Sequence, residues 1–375
     1  MSTDAALLAL EDGTTFRGTA YGARGTALGE VVFNTGMTGY PEVLTDPSYH
    51  GQMVCMTYPL IGNYGIAEED FESRRLWLCG FIVREVSRIT SNRRSRMALP
   101  ELLKAQNVIG IEGLDTRSLV RHIRLAGAMK AALSTEVLDE KELVLMAKDS
   151  PGLVGRDLVQ PVSTDRPFDW TQPLSYRPAR AARFDVTVYD YGVKYNILRH
   201  LVSAGCRVHV VPGSTRAATV LERRPDGVVL SNGPGDPAAL PAIVREVKQL
   251  LGKVPILGIC LGQQLLGQAL GGKTFKLRFG HHGSNHPVKD LHTGKVEITT
   301  QNHGFCVDAD SLDRSKVEMT HVNLNDNTLE GLRHKELPVF SVQYHPEAGP
   351  GPHDSGYLFD RFIGLMELER SASSG

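Results

Sequence analysis

The sequence predicts an α/β protein in two parts: a β-rich N-terminal α/β domain, then an open, mostly parallel sheet with helices on both faces. Three observations carry this expectation. The 375 residues exceed one ordinary compact domain. From Phe184 onward, short apolar runs alternate with helical patterns at the spacing of a parallel sheet. Residues 151–184 are crowded with Pro, Arg, Ser and Asp, the composition of a linker. Domains are therefore expected over 1–150 and 185–370.

In the first part, "GEVVFNTGMTGYPEVLTDPSYHGQMVCMTYPLIGNYG" breaks short apolar runs with Gly, Pro, Asn and Asp, which reads as strands joined by turns. "DTRSLVRHIRLAGAMKAAL" reads as a helix, capped by Asp115 or Thr116, with Leu119, Ile123 and Leu125 on its apolar side. In the second part, "DVTVYDYG", "CRVHVVPG", "DGVVLSNGPGDP" and "VPILGIC" are strands, each followed by a helical stretch. Ligands of such sheets sit beyond the carboxyl ends of the strands, so the loops after Leu230 and Leu257 are the ones to search. Past Gly280 the strands become hairpin-like. "GYLFDRFIGLMELER" closes as a helix, and the tail "SASSG" is expected to be disordered.

Composition excludes several classes. Hydrophobic content of 41% with 22% charged residues fits a globular chain, and a net charge of −1 gives no pull toward nucleic acid or anionic lipid. No apolar run is long enough to span a bilayer, and the N-terminus lacks the basic start of a secretory signal. Five cysteines without a C-x-x-C pair argue against a disulfide framework or zinc ribbon and for a reducing cytoplasm.

Two motifs overlap in "ILGICLGQQLLGQALGGKT". Gly267 to Thr274 satisfies the phosphate-loop pattern G-x-x-x-x-G-K-[ST]. That motif needs a strand feeding a helix N-terminus, whereas Gly271-Gly272 stop a helix, where the dipole repels phosphate. Gly258-Ile259-Cys260-Leu261-Gly262 passes the test that its neighbour fails. A buried strand runs into Gly258 and a helix starts after Cys260, so the glycines permit a tight turn presenting a nucleophile. The helix dipole favours a thiolate at Cys260, and the Leu261 amide is placed to stabilise an oxyanion.

A thiol nucleophile needs a base, and the base needs an orienting group. His345 in "FSVQYHPEAGPG" ends an alternating strand, and Glu347 lies two positions on, on the same face of an extended segment. Pro346 keeps His345 extended. In "LSNGPGDP", Gly233 and Gly235 can offer backbone amides as a second oxyanion donor or a substrate cradle. The histidines of "FGHHGSNHPV" lack the carboxylate and helical spacing of a metal site; they are expected in a loop, packing or meeting a partner. No metal is expected.

Cys260 in "GICLG", the His345 and Glu347 of "YHPE", and "SNGPGDP" together resemble the class I (triad) glutamine amidotransferases. "FNTGMTGYPEVLTDPSY", "GIEGLDTRSLVRHIRLAGAMKAAL", "VYDYGVKYNILR", "FGHHGSNHPV" and "TQNHGFCVD" narrow the resemblance to the small, glutamine-hydrolysing subunits of carbamoyl phosphate synthetases, over nearly the whole chain. The resemblance implies Cys260 as nucleophile, His345 as acid and base, and Glu347 as its orienter. It implies glutamine held by Ser48, Gly233, Gly235, Leu261, Gln264, Asn302, Gly304 and Phe305. Two positions depart from the family: Gln263, where His is frequent, and Ser284, where Gly or Ala is usual.

The resemblance further implies hydrolysis of glutamine to glutamate, with ammonia passed to a large synthetase subunit that makes carbamoyl phosphate. No cofactor is expected on this chain; ATP and magnesium belong to the partner, in a heterodimer or an assembly of heterodimers. The N-terminal domain would meet that partner. Three other readings stay open: a glutaminase subunit for another ammonia acceptor, a hydrolase of γ-glutamyl peptides, and a silent regulatory subunit.

Overall fold

The computed structural model describes residues 4–373, so the last two residues of the "SASSG" tail lie outside the described residues. Ser371–Ser373 continue the final helix, Tyr357–Ser373, in place of the expected disorder. The chain divides into two compact units. One comprises residues up to Val154 together with Arg278–Gly283, and the other Gly155–Leu277 with residues from Ser284 onward. Residues 155–184, with the composition of a linker, thus belong to the second unit and contain a strand, Phe168–Trp170. No helix of the described residues is long and apolar enough to cross a membrane.

The first unit is built on a closed barrel. Its strands run in the order Ala5–Leu10, Thr15–Gly22, Ile109–Glu112, Gly80–Ile82, Gln52–Met56, Thr26–Asn34 and Met129–Ser134. Closure removes the exposed strand edges that an open sheet of this size would present. Alternation sorts the side chains: Leu7 and Ala9 meet the helix Glu140–Asp149, while Leu8 and Leu10 join Val31, Met53, Ile82 and Ile111. Asp115 caps the helix Thr116–Ala126 by accepting the Ser118 amide at 2.9 Å. Leu119 and Ile123 are buried but Leu125 is 67% exposed, against the expectation of one apolar side. Leu125 lies two residues past Ile123, about 200° around the helix, and so faces away from the barrel.

The second unit is a ten-stranded sheet. Five parallel strands form its centre in the order Cys206–Pro212, Phe184–Asp190, Gly227–Leu230, Ile256–Ile259 and Val339–Val342, with antiparallel strands on both sides. Both faces are covered. Val229, Leu257 and Ile259 pack with the helices Tyr195–Ser203 and Tyr357–Ser373, whereas Val228, Leu230 and Ile256 pack with the helix Leu261–Ala269. Gly227–Leu230 and Ile256–Ile259, buried at every position, are the unbroken apolar runs that burial on two faces requires. The histidine segment "FGHHGSNHPV" is strand, not loop: it lies within Lys273–Asp290. His281 and His282 are buried, and His282 stacks on Tyr49 at 6.0 Å.

Behind the central strands, His200 is buried and stacked on Phe359 at 4.5 Å. Burial pushes its pKa down to about 4, against the pull of Glu347. A folded pKa below the ordinary value means that the unfolded chain takes up the proton first. The stability contributed by neutral His200 is therefore complete above about pH 6.5 and is lost as pH falls toward 4. At pH 5 the loss is about 2 kcal/mol. Relative to pH 8, the parent's thermal midpoint should fall about 4–8 °C further than that of His200→Met. Equal falls in the two proteins would show that His200 is not buried neutral.

Candidate active site

The geometry of the site begins with two glycines that the backbone cannot replace. A Cβ on Gly258 would lie 2.9 Å from the carbonyl carbon and oxygen of Gly262, and one on Gly262 only 2.1 Å from the Leu230 oxygen. The strand, the turn and the helix start are therefore in backbone contact with the neighbouring strand. Between the glycines, Cys260 takes φ 55° and ψ −106°, a conformation that costs a non-glycine residue about 1–3 kcal/mol. Tertiary hydrogen bonds hold it there: the Cys260 amide donates to Val342 O at 2.9 Å, and the Gly262 amide to Ser231 O at 3.0 Å. The amides of Gln263 and Gln264 donate back to Cys260 O. Leu261, the first residue of the helix, is left with no backbone acceptor for its amide among the described residues.

His345 and Glu347 reach the same place from the end of the strand Val339–Val342. The His345 amide donates to Thr300 O at 2.9 Å, and Nδ1 meets Glu347 Oε1 at 2.7 Å. Nε2 faces the Cys260 sulfur, which acts on the ring both through charge and as a hydrogen-bond acceptor, and among the described residues it meets no N or O partner. All three side chains are almost completely buried. Burial pushes the imidazole's pKa down, but Glu347 and then Cys260 outweigh it and hold the ring protonated, up to about 10. For Glu347, burial pushes the pKa up, and Lys194 and then His345 overcome it, down to about 2. The arrangement keeps a cationic imidazole beside the sulfur and an ionised carboxylate behind it.

Lys194 is the residue that sequence reasoning missed. Its ammonium, 1% exposed, sits 3.0 Å from Glu347 Oε1 and donates to Ala348 O at 2.5 Å. The signal in the sequence is position: Lys194 follows the strand Phe184–Asp190 at the carboxyl edge of the parallel sheet. The Lys194 amide donates to Asn232 Oδ1 at 3.0 Å, tying that turn to the glycine loop. In the loop, a Cβ on Gly233 would lie 2.2 Å from Tyr191 O and 2.9 Å from Leu261 Cδ2. Gly233 therefore packs directly against the residue after Cys260. Gly235, at φ 91°, turns away toward Leu158.

The strand Val296–Asp308 supplies the remaining side. Asn302 O lies 3.7 Å from Cys260 Sγ, and Phe305 O accepts from Gln264 Nε2 at 2.8 Å. Gly304 has open space where a Cβ would be. The structure thus gathers Cys260, Leu261, Gln264, Gly233, Asn302, Phe305, His345 and Glu347 in the second unit. Ser48 lies in the first unit, in the turn Pro47–Tyr49, with its amide donating to Asp46. Gln263 is buried and accepts from Ser341 Oγ at 3.2 Å.

A nucleophile elbow at the carboxyl edge of a parallel sheet, backed by His and Glu, is the arrangement of a triad amidotransferase. Residues 187–365 match the family described as Glutamine amidotransferase class-I, and residues 8–133 match Carbamoyl-phosphate synthase small chain, CPSase domain. The carbamoyl phosphate synthase small chain of Syntrophotalea carbinolica is 56% identical over 373 residues, covering 98% of this chain and 99% of its own. That of Solidesulfovibrio magneticus is 56% identical, covering 97% and 99%, and that of Thermosynechococcus vestitus is 53% identical, covering 97% of each. The chain belongs to the carbamoyl phosphate synthase small chain family.

Removing one member of a buried ion pair costs up to about 3–5 kcal/mol when the other charge is left alone, and His345, 2.7 Å from Glu347 Oε1, offsets part of that here. Lys194→Met should lose stability on that scale, read as a fall in thermal midpoint. Adding Glu347→Gln to it should recover part of the loss, because an amide needs no counter-ion. A single variant as stable as the parent would show that the Lys194 ammonium does not balance Glu347.

Proposed function

We propose that this chain is the glutaminase subunit of a carbamoyl phosphate synthetase, a cytoplasmic enzyme whose large subunit binds ATP and magnesium. The observation that carries the reading is Cys260 at a strained strand-to-helix turn, beside a protonated His345 backed by Glu347 and Lys194. Similarity to named small chains over almost the full length of both partners supports it.

Cys260 thiolate attacks the carboxamide carbon of glutamine. The carbonyl oxygen takes the charge and is held by the Leu261 amide and an amide of the Gly233 to Gly235 loop. His345 gives its proton to the departing nitrogen, so ammonia leaves and a γ-glutamyl thioester remains. The imidazole then takes a proton from water, which attacks the thioester and releases glutamate and the thiolate. Glu347 holds the ring in orientation, and Lys194 keeps Glu347 ionised. Asn302, Gly304, Phe305 and Gln264 border the substrate. Ammonia passes to the large subunit, where bicarbonate and ATP turn it into carbamoyl phosphate. Passage inside the protein prevents ammonia from protonating in water and escaping. The N-terminal unit is the part that meets the partner, since it is what this family adds to the amidotransferase unit.

The test combines the chain with a large synthetase subunit, ATP and bicarbonate. Glutamine and ammonia should both give carbamoyl phosphate, and Cys260→Ser should lose only the glutamine-dependent rate. Product from ammonia but none from glutamine in the parent complex would overturn the assignment. Undiminished glutamate release by Cys260→Ser would remove the nucleophile. Gly304→Ala has room for its methyl group and should keep the parent's thermal midpoint while raising KM for glutamine. An unchanged KM would place Gly304 outside the substrate contact.

A further inference from the structure

The segment Gly155–Thr164 starts directly after the last residue of the first unit's long stretch, Val154, and has the composition of a connector. Three of its side chains contradict that role: Leu158, Val159 and Val162 are each 2% exposed. Its two ends are fastened to different loops of the active site. At the first end, the Gly155 amide donates to Asp236 Oδ2 at 2.9 Å, and Oδ1 of the same carboxylate accepts the Ala238 amide at 2.9 Å. Asp236 closes the glycine loop and is 6% exposed. Leu158 rests on the loop itself, since a Cβ on Gly235 would lie 3.1 Å from Leu158 Cβ and 3.3 Å from Arg156 O.

At the far end, the Thr164 amide donates to Asp190 Oδ2 at 2.8 Å. Asp190 Oδ1 accepts the amides of Gly192 and Val193 at 2.9 and 2.8 Å, shaping the turn that presents Lys194 to Glu347. In the middle, Asp157 Oδ1 accepts the amides of Val159 and Gln160, which stiffens the segment. Gly233 and Gly235 have no side chains with which to fix their own positions. What lies against them must fix them.

We propose that Gly155–Thr164 is a strap that sets the geometry of the oxyanion loop and of the Lys194 turn, with Leu158 and Asp236 as positioning residues for glutamine hydrolysis. The inference rests on the reading of Gly233 to Gly235 as an oxyanion loop. Neither Leu158 nor Asp236 need touch substrate. Their effect falls on the step in which the carbonyl oxygen gains charge, because a donor is useful only where that oxygen will be. Ground-state binding of glutamine also draws on Gln264, Asn302, Gly304 and Phe305, which the strap does not touch, and so changes less than the rate.

The experiment uses the complete synthetase with Leu158→Ala, Leu158→Met and Asp236→Ala small chains. It measures glutamine kcat and KM and inhibition by the aldehyde analogue of glutamine. Cys260 thiolate adds to that aldehyde carbon, and the carbonyl oxygen takes the charge, so its affinity reports the oxyanion donors directly. Leu158→Ala and Asp236→Ala should lower kcat about tenfold or more, with KM within about threefold and aldehyde affinity falling in parallel. Leu158→Met, which restores the volume, should recover most of both. Unchanged kcat and aldehyde affinity in Leu158→Ala and Asp236→Ala would overturn the strap, as would a loss confined to KM. Gly233→Ala separates this from the reading beneath it. An unchanged kcat there overturns the oxyanion loop, whereas a loss there with Leu158→Ala and Asp236→Ala silent overturns the strap alone.

Discussion

The contact between Gly262 and the backbone of Leu230 sets the terms for the rest of the site. A methyl group cannot enter that contact, because its carbon would sit 2.1 Å from the Leu230 oxygen. With the helix start pressed so close, the turn from Ile259 to Leu261 has few conformations left, and Cys260 takes a positive φ. The local cost is met by the packing of apolar side chains on two sheet faces, which holds the strands on either side of the turn. In exchange, the sulfur sits at the helix N-terminus, beside a Leu261 amide with no backbone acceptor among the described residues.

Charge balance is the second layer. Three ionisable side chains, Lys194, Glu347 and His345, meet at Glu347 Oε1 with almost no solvent, and burial works against each charged form. The three are consistent only as a set. The ammonium keeps the carboxylate ionised, the carboxylate keeps the imidazole protonated, and the imidazole faces the sulfur. Such a chain fixes the orientation of the ring more firmly than any one of its bonds, since moving a member exposes the next to an unpaired charge. The sequence showed the His345 and Glu347 pair, because two positions apart on an extended segment is a local relation. Lys194 was invisible in it, because a lysine defaults to solvent unless a distant partner draws it in.

Three segments depart from their local preferences for one physical reason. "FGHHGSNHPV" carries Gly, Ser, Asn and Pro, which locally favour a loop, yet it runs within the strand Lys273–Asp290. Leu125 shares the apolarity of Leu119 and Ile123, although its place on the helix turns it outward. The stretch after Val154 reads as a linker by composition, yet Leu158, Val159, Val162 and Leu174 are buried. In each case local preference was overruled by what the rest of the chain placed alongside.

The sequence by itself determined what short range can encode. Apolar runs and their helical sequels specified the parallel strands, since a strand covered on both faces must be apolar at successive positions. The spacing G-x-C-x-G specified the turn, since only glycines allow the approach on either side of the thiol. Tertiary structure alone decided what depends on residues far apart in the chain. It brought Lys194 to Ala348, 154 positions away, and to the neighbouring Glu347. It laid Gly233 against Leu261 and Leu158 against Gly235. The physical reason is common to all four contacts: the energy of a buried charge or a close approach to backbone is fixed by the group opposite, and the sequence does not say which group that will be.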